Sequence, residues 1–147
     1  MYYDGLLMNY LSNLSWNFRD SVDKVKIIDY EDSPELDNVM DSIFSKDDFL
    51  LEVAIHRDSE SHFNISFEGG MTIRQILQRI YDFYHLEEVI EDLIENSPND
   101  VFDYQKEVMT KLKNGGRANW IEMMGDMTYF EGFRKKSPKS YYLILGS

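Results

Sequence analysis

The most constraining feature of the sequence is a helix whose start is marked by several independent signals. Thr72 is an N-cap residue, and Gln75 follows at the spacing of a capping box. Met71, just before the cap, and Ile76 form a hydrophobic staple. Apolar residues then recur at helical spacing: Ile73, Ile76, Leu77, Ile80, Tyr81 and Tyr84. The segment 71–85 is therefore predicted to be an amphipathic helix that lies across a sheet.

A β-hairpin is predicted immediately before this helix. In residues 49–56, Leu51, Val53 and Ile55 recur at the spacing of one strand face, and in 62–68 Phe63, Ile65 and Phe67 do the same. The connection over 57–61 is polar, which is typical of a solvated turn. The hairpin leads into the helix through Gly69-Gly70.

The other elements follow from the same periodicities. In chain order, the sequence predicts a helix over 2–18, a short strand or an extended connection over 24–30, a helix from Ser33-Pro34 to Phe44, a continuation of the central helix to Ile94 that is either straight or kinked after His85, a helix over 101–112 and a helical turn over 117–124.

Two further strands are predicted near the C-terminus, Met127 to Phe133 and Ser140 to Leu145, joined by a polar loop over 134–139. The predicted fold is therefore α+β. It consists of an antiparallel sheet of about four strands, in two hairpins, with helices packed on one face. The length of 147 residues suits a single domain over 1–147.

Composition restricts the possible functions. The chain has no cysteine, which excludes disulfides, thiolate metal sites and thiol nucleophiles. No apolar run is long enough to span a membrane, and no signal peptide is visible, so we expect an intracellular protein, cytoplasmic by default. The net charge of −12 argues against nucleic acid as the main ligand. It is typical either of a surface that maintains solubility or of one that binds a basic protein partner.

Two histidines flank the predicted hairpin turn and form the first candidate site. His56 and His62 enclose Asp58 and Glu60, and such a set of ligands can gather a transition metal. A solvated turn has the same composition, and no third histidine lies nearby in sequence. We therefore predict no metal, no cofactor and no catalytic residue here.

Two charged clusters are the next candidates. Carboxylates crowd one region: Asp82, Glu87, Glu88, Glu91, Asp92 and Glu95. Because the other side of that helix is apolar, they are interpreted as a solvated or partner-facing surface. Arg134, Lys135, Lys136 and Lys139 form a basic island that could hold a phosphate, an RNA backbone or an acidic partner segment. The same residues also suit a solvated loop.

The C-terminal segments Gly125 to Phe133 and Tyr141 to Ser147 resemble a pattern in uncharacterised proteins of nucleocytoplasmic large DNA viruses. The helix from Gly70 through Tyr84 is similar too, so the resemblance covers about half of the chain. It implies a location in the host cell or virion, and it implies no activity.

Three functions are compatible with the sequence. The first is a non-catalytic accessory or protein–protein interaction domain, favoured by the acidic surface, the many aromatic residues and the lack of a catalytic motif. The second is a small enzyme with a site built from His56 or His62 and distant carboxylates. The third is a phosphate or nucleic-acid binder that uses the loop 134–139. A protein partner is therefore expected, and the oligomeric state is left open.

Overall fold

Helices and a four-stranded sheet make up the fold in a computed structural model that describes residues 4–28, 35–55, 62–86 and 103–146. The elements in chain order are α1 (Asp4–Ser12), β1 (Leu14–Ser15), β2 (Lys26–Ile27), α2 (Leu36–Met40), β3 (Phe49–Ala54), β4 (His62–Phe67), α3 (Ile73–His85), α4 (Asp103–Lys113), β5 (Tyr129–Ser137) and β6 (Ser140–Gly146). Single 3₁₀ turns span Val22–Lys24 and Trp120–Met123. The predicted α+β class is confirmed.

The main sheet has the strand order β4-β3-β6-β5. Its four strands and two antiparallel hairpins agree with the prediction. The prediction of an antiparallel sheet is wrong, because the two hairpins meet through β3 and β6, which run parallel with Leu51 opposite Tyr141. Parallel neighbours need a long crossover, and here α3 and α4 lie between the two strands in sequence.

Burial alternates along β3 and defines two faces of the sheet. Phe49, Leu51 and Val53 are buried and point to what we call the inner face. Leu50 and Glu52 point to the opposite, outer face and retain exposure. The inner-face residues share one hydrophobic core with buried residues of the four described helices, so this face carries the core.

The central helix α3 is confirmed with its predicted cap. The Gln75 amide donates to Thr72 Oγ1 at 3.3 Å, and the Thr72 amide donates to Gln75 Oε1 at 2.9 Å. The helix buries five residues of the predicted apolar stripe: Ile73, Ile76, Leu77, Ile80 and Tyr84. The sixth, Tyr81, is half-buried. The Tyr84 hydroxyl donates to the Ala54 carbonyl at 2.5 Å and so ties the helix to β3.

The N-terminal helix is shorter than predicted. It ends at Ser12, and the apolar residues beyond it alternate, since Leu14, Trp16 and Phe18 are buried while Ser15 is exposed. Backbone hydrogen bonds join Phe18 to Thr128 and Phe130 to Trp16. The spacing of the apolar residues 14–18 is compatible with a helix and with an extended segment. Backbone pairing with the start of β5 favours the extended conformation.

The helix predicted to reach Phe44 also stops early, at Met40, and its predicted start at Ser33-Pro34 lies outside the described residues. Ile43 instead forms a backbone bridge with Thr72, and the Phe44 amide donates to the Met71 carbonyl at 3.2 Å. The Phe44 ring lies against the inner face, with its centroid 5.1 Å from that of Phe49.

Two other predictions fall wholly or partly outside the described residues: the turn over 57–61 and the first residues of the helix over 101–112. The predicted continuation of α3 to Ile94 is interrupted at Leu86, whose extended backbone ends the helix, and residues 87–94 lie outside the described residues. Within residues 24–28, the described part of the segment predicted over 24–30, the strand is Lys26–Ile27. Among the helices of the described ranges, none combines the length and hydropathy needed to cross a bilayer.

Candidate functional site

The basic island lies mostly on a strand. A loop over 134–139 was predicted, but β5 continues to Ser137, which is opposite Ser140, and only Pro138-Lys139 remains as the turn. The prediction failed because consecutive cations suggest a loop, whereas strand residues near a hairpin tip stay solvated as well. Arg134, Lys135 and Lys136 are exposed.

Two of these cations converge on one aromatic ring of the outer face. Arg134 Cζ lies 5.1 Å and Lys136 Nζ 5.4 Å from the centroid of the half-buried Tyr142 ring. Both distances are within the range of cation–π attraction. The register explains the arrangement, because Tyr142 is opposite Arg134 on β5 and opposite Glu52 on β3.

Glu52 completes this row across three strands. Its Oε1 atom is 3.5 Å from Lys136 Nζ, and its side chain is only 19% exposed. The ion pair holds the lysine beside the ring and neutralises part of the local positive charge. We call Arg134, Lys136, Tyr142 and Glu52 the outer-face cluster.

A groove lies beside this cluster, between the β5–β6 turn and the ends of β3 and β4. Leu50, 41% exposed, forms part of its wall, and the Leu50 amide donates to the Lys139 carbonyl at 2.9 Å. The groove has a volume of about 440 Å³ and a mixed lining: Asp48, Phe49, Leu50, Ser66, Phe67, Glu68, Arg79 and Lys139. Two cations and two carboxylates make its charge balanced, so it is not a dedicated anion site.

A second cavity of about 510 Å³ lies next to α4. Its charged groups are already engaged, because Lys111 Nζ is 3.3 Å from Glu122 Oε1 and the Arg19 guanidinium donates to the Gly125 carbonyl. With both of its cations so engaged, this cavity is not a site for an anionic ligand.

The predicted histidine pair is described only in part. His62 begins β4 and is exposed, whereas His56 lies outside the described residues. His85 lies in the last turn of α3, where its ring stacks on Tyr81 at 3.9 Å between centroids. Within the described ranges, no three histidine or acidic side chains are grouped closely enough to hold a metal ion. The enzyme hypothesis stays a prediction.

The other candidates have simple positions. Of the carboxylate cluster only Asp82 is described, and it is exposed and accepts a hydrogen bond from Gln78. Trp120, Met123 and Met124, which lie in the predicted helical turn over 117–124, are fully buried and belong to the core. Tyr129, at the start of β5, is exposed.

Sequence analysis missed Tyr142, Glu52 and Leu50. The alternation of β3 and β6 was sufficient to place each of them on the polar face of its own strand. The parallel register that brings Glu52 beside Tyr142 has no local sequence signal, and so the cluster was not predictable.

No protein-family model, curated protein or solved structure matches this chain. The resemblance to viral proteins stays a prediction. The outer-face cluster must be interpreted from its own chemistry.

Proposed function

We propose that the chain is a non-catalytic protein–protein interaction domain that binds an acidic segment of another protein on the outer face of its sheet. The observation that supports this most is the outer-face cluster, where Arg134 and Lys136 flank the Tyr142 ring. Arginine and tyrosine are enriched at the centres of protein interfaces. The exposed Leu50 beside them adds apolar area.

Charge favours an acidic peptide over nucleic acid. A nucleic-acid site needs a track of cations along the phosphates, whereas the cations of the outer-face cluster are confined to one hairpin. The Glu52 carboxylate, which is paired with Lys136, neutralises part of the positive charge of these cations. An acidic peptide needs only two or three ion pairs, and its apolar side chains find Leu50 and the Tyr142 ring.

The proposal is tested with the variant Arg134→Glu/Lys136→Glu. The probe is a fluorescein-labelled peptide of alternating Glu and Leu, titrated at about 150 mM salt, near the physiological screening length. We expect the variant to bind the peptide at least about tenfold more weakly, because two charge-assisted contacts become repulsive.

A matched control separates the site from the total charge. Lys46→Glu/Lys106→Glu reverses two exposed cations elsewhere and reaches the same net charge. We expect it to bind the peptide as the unmodified chain does. Equal losses in both variants would contradict a specific surface. Tight binding of single-stranded oligo(dT), lost only in Arg134→Glu/Lys136→Glu, would put nucleic acid in the place of the acidic protein segment.

A further inference from the structure

The two edges of the main sheet are built differently. The edge at β5 is protected by three devices: residues 16–18 pair with its first residues, its register shifts twice along β6, and it carries three consecutive basic side chains. Bulges, charges and covering segments are how proteins stop an edge strand from pairing with another chain.

The opposite edge, β4, has none of these devices in its last five residues. The segment Phe63–Phe67 contains no charged residue and no proline, and each of its residues follows the register of β3 without a shift. In the described part of the chain, no strand pairs with the other side of β4. Among the described residues its outward backbone groups therefore have no strand partner, and such groups can extend a sheet.

Burial indicates where an added strand would lie. Phe63 and Ile65 are only partly buried, although the residues opposite them on β3, Val53 and Leu51, are fully buried. Asn64 and Ser66 are exposed on the outer face. The inner-face side of β4 thus keeps apolar surface open along the sheet edge.

The residue order of this segment fits a second copy of itself. Read in either direction, Phe63-Asn64-Ile65-Ser66-Phe67 gives aromatic, small polar, aliphatic, small polar, aromatic. We propose that β4 pairs antiparallel with β4 of a second copy of this chain, centred on Ile65, so that two four-stranded sheets join into one of eight strands. Ile65 then lies opposite the partner's Ile65, and Phe63 lies opposite the partner's Phe67.

This register places no charge against another charge. Asn64 lies opposite the partner's Ser66, and both strands keep their apolar side chains on the inner face, because a two-fold axis perpendicular to a sheet preserves its faces. Cross-strand aromatic and β-branched neighbours are the pairs that stabilise sheets. The inference does not depend on the proposed function, since the outer-face cluster uses side chains of β3, β5 and β6, whereas the joint uses the outward backbone edge of β4.

Each chain carries a net charge of −12, so two copies repel one another outside the neutral contact. Salt screens this repulsion. Association through β4 should therefore strengthen as salt is raised, which is the opposite of contacts between acidic and basic groups. Sedimentation of the full chain over a wide range of concentration should show the mass rising from 17.4 kDa towards twice that value, at lower protein concentration when salt is higher.

The variant Asn64→Lys/Ser66→Lys tests the contact directly. It places lysines opposite lysines at the joint, and both positions are exposed, so the fold should persist in circular dichroism. We expect the dissociation constant to rise at least about tenfold. The control Thr110→Lys/Asn114→Lys has the same net charge, with both lysines on exposed positions of α4 or just after it, and should associate normally.

Disulfide trapping tests the register, because the chain has no cysteine of its own. Mixed Asn64→Cys and Ser66→Cys proteins should cross-link to each other under oxidation, since opposite residues lie at disulfide distance. Each protein alone should cross-link far less. A chain that stays monomeric at every concentration and salt, equal association of both lysine variants, or cross-linking without preference for the mixed pair would overturn the proposal.

Discussion

At the scale of single residues, Gly132 has the most demanding position in the sheet. Its φ angle is +106°, and a Cβ atom there would lie 2.9 Å from Ser12 Oγ, so α1 packs directly on the backbone of β5. We expect Gly132→Ala to lower the free energy of unfolding by about 2–3 kcal/mol, through backbone strain and displacement of α1. Urea denaturation measures the loss.

Gly115→Ala is the matched control for that substitution. Gly115 also has a positive φ, +85°, but apart from its two chain neighbours no residue of the described chain has an atom within 4 Å of a Cβ placed there. The expected loss is about 1 kcal/mol, from the backbone alone. Equal losses at the two glycines would show that the contact with Ser12 contributes nothing.

Tyr84 predicts a dependence on pH. Burial raises the pKa of its hydroxyl well above the ordinary value of 10.0, because the phenolate would have no water around it. The unfolded chain loses this proton near pH 10 while the folded chain keeps it. The stability that Tyr84 contributes is therefore complete below pH 10 and falls above it, by about 1.4 kcal/mol per pH unit.

The variant Tyr84→Phe isolates this effect from other groups that titrate at high pH. At neutral pH it should lose about 1 kcal/mol, because the hydrogen bond to the Ala54 carbonyl is absent. Above pH 10 its unfolding free energy should fall less steeply than that of the unmodified chain. Parallel curves from urea titrations over this range would mean that the hydroxyl ionises freely in the folded state.

At the scale of the element, the capping box of α3 supports a specific prediction. Thr72→Ala removes the oxygen that accepts the Gln75 amide, so the free energy of unfolding should fall by about 1 kcal/mol. Thr110→Ala makes the same change on the exposed surface of α4, where alanine favours the helix and no loss is expected. An unchanged denaturation midpoint for Thr72→Ala would contradict the role of the cap.

The contrast between α3 and β5 shows what the sequence could predict. The start of α3 depends on Met71, Thr72 and Gln75, which are neighbours in sequence, and it was predicted correctly. The length of β5 depends on pairing with β6, and its basic residues gave no local strand signal. The outer-face cluster needs the parallel register of β3 and β6 as well, which only the folded chain determines.

At the scale of the whole molecule, the net charge of −12 should make stability depend on salt. Raising salt from about 0.05 M to about 0.5 M shortens the Debye length several-fold and weakens the repulsion within the folded chain. We expect unfolding free energy to rise by about 1 kcal/mol. The measurement uses Asn64→Lys/Ser66→Lys, so that association of chains does not contribute.

Neutralising three exposed carboxylates on that background provides the control. The control makes the net charge less negative by three and changes no observed ion pair; its substitutions are Glu35→Gln, Asp47→Asn and Glu68→Gln. The gain from salt should then be smaller. A gain of the same size in both proteins would attribute the effect to salt acting on apolar burial instead.

The parallel pairing of β3 with β6 also sets an order in time. Leu51 and the residue opposite it, Tyr141, are 90 positions apart (141 − 51). A ribosome takes about 10 s to make that length of chain. During that interval a nascent β3–β4 hairpin has two open edges and an apolar face, and the strand that completes it does not yet exist. The chain is thus most prone to mispairing of β3 and β4 during its synthesis. A delay in translation between the two hairpins lengthens the period in which such mispairing can occur.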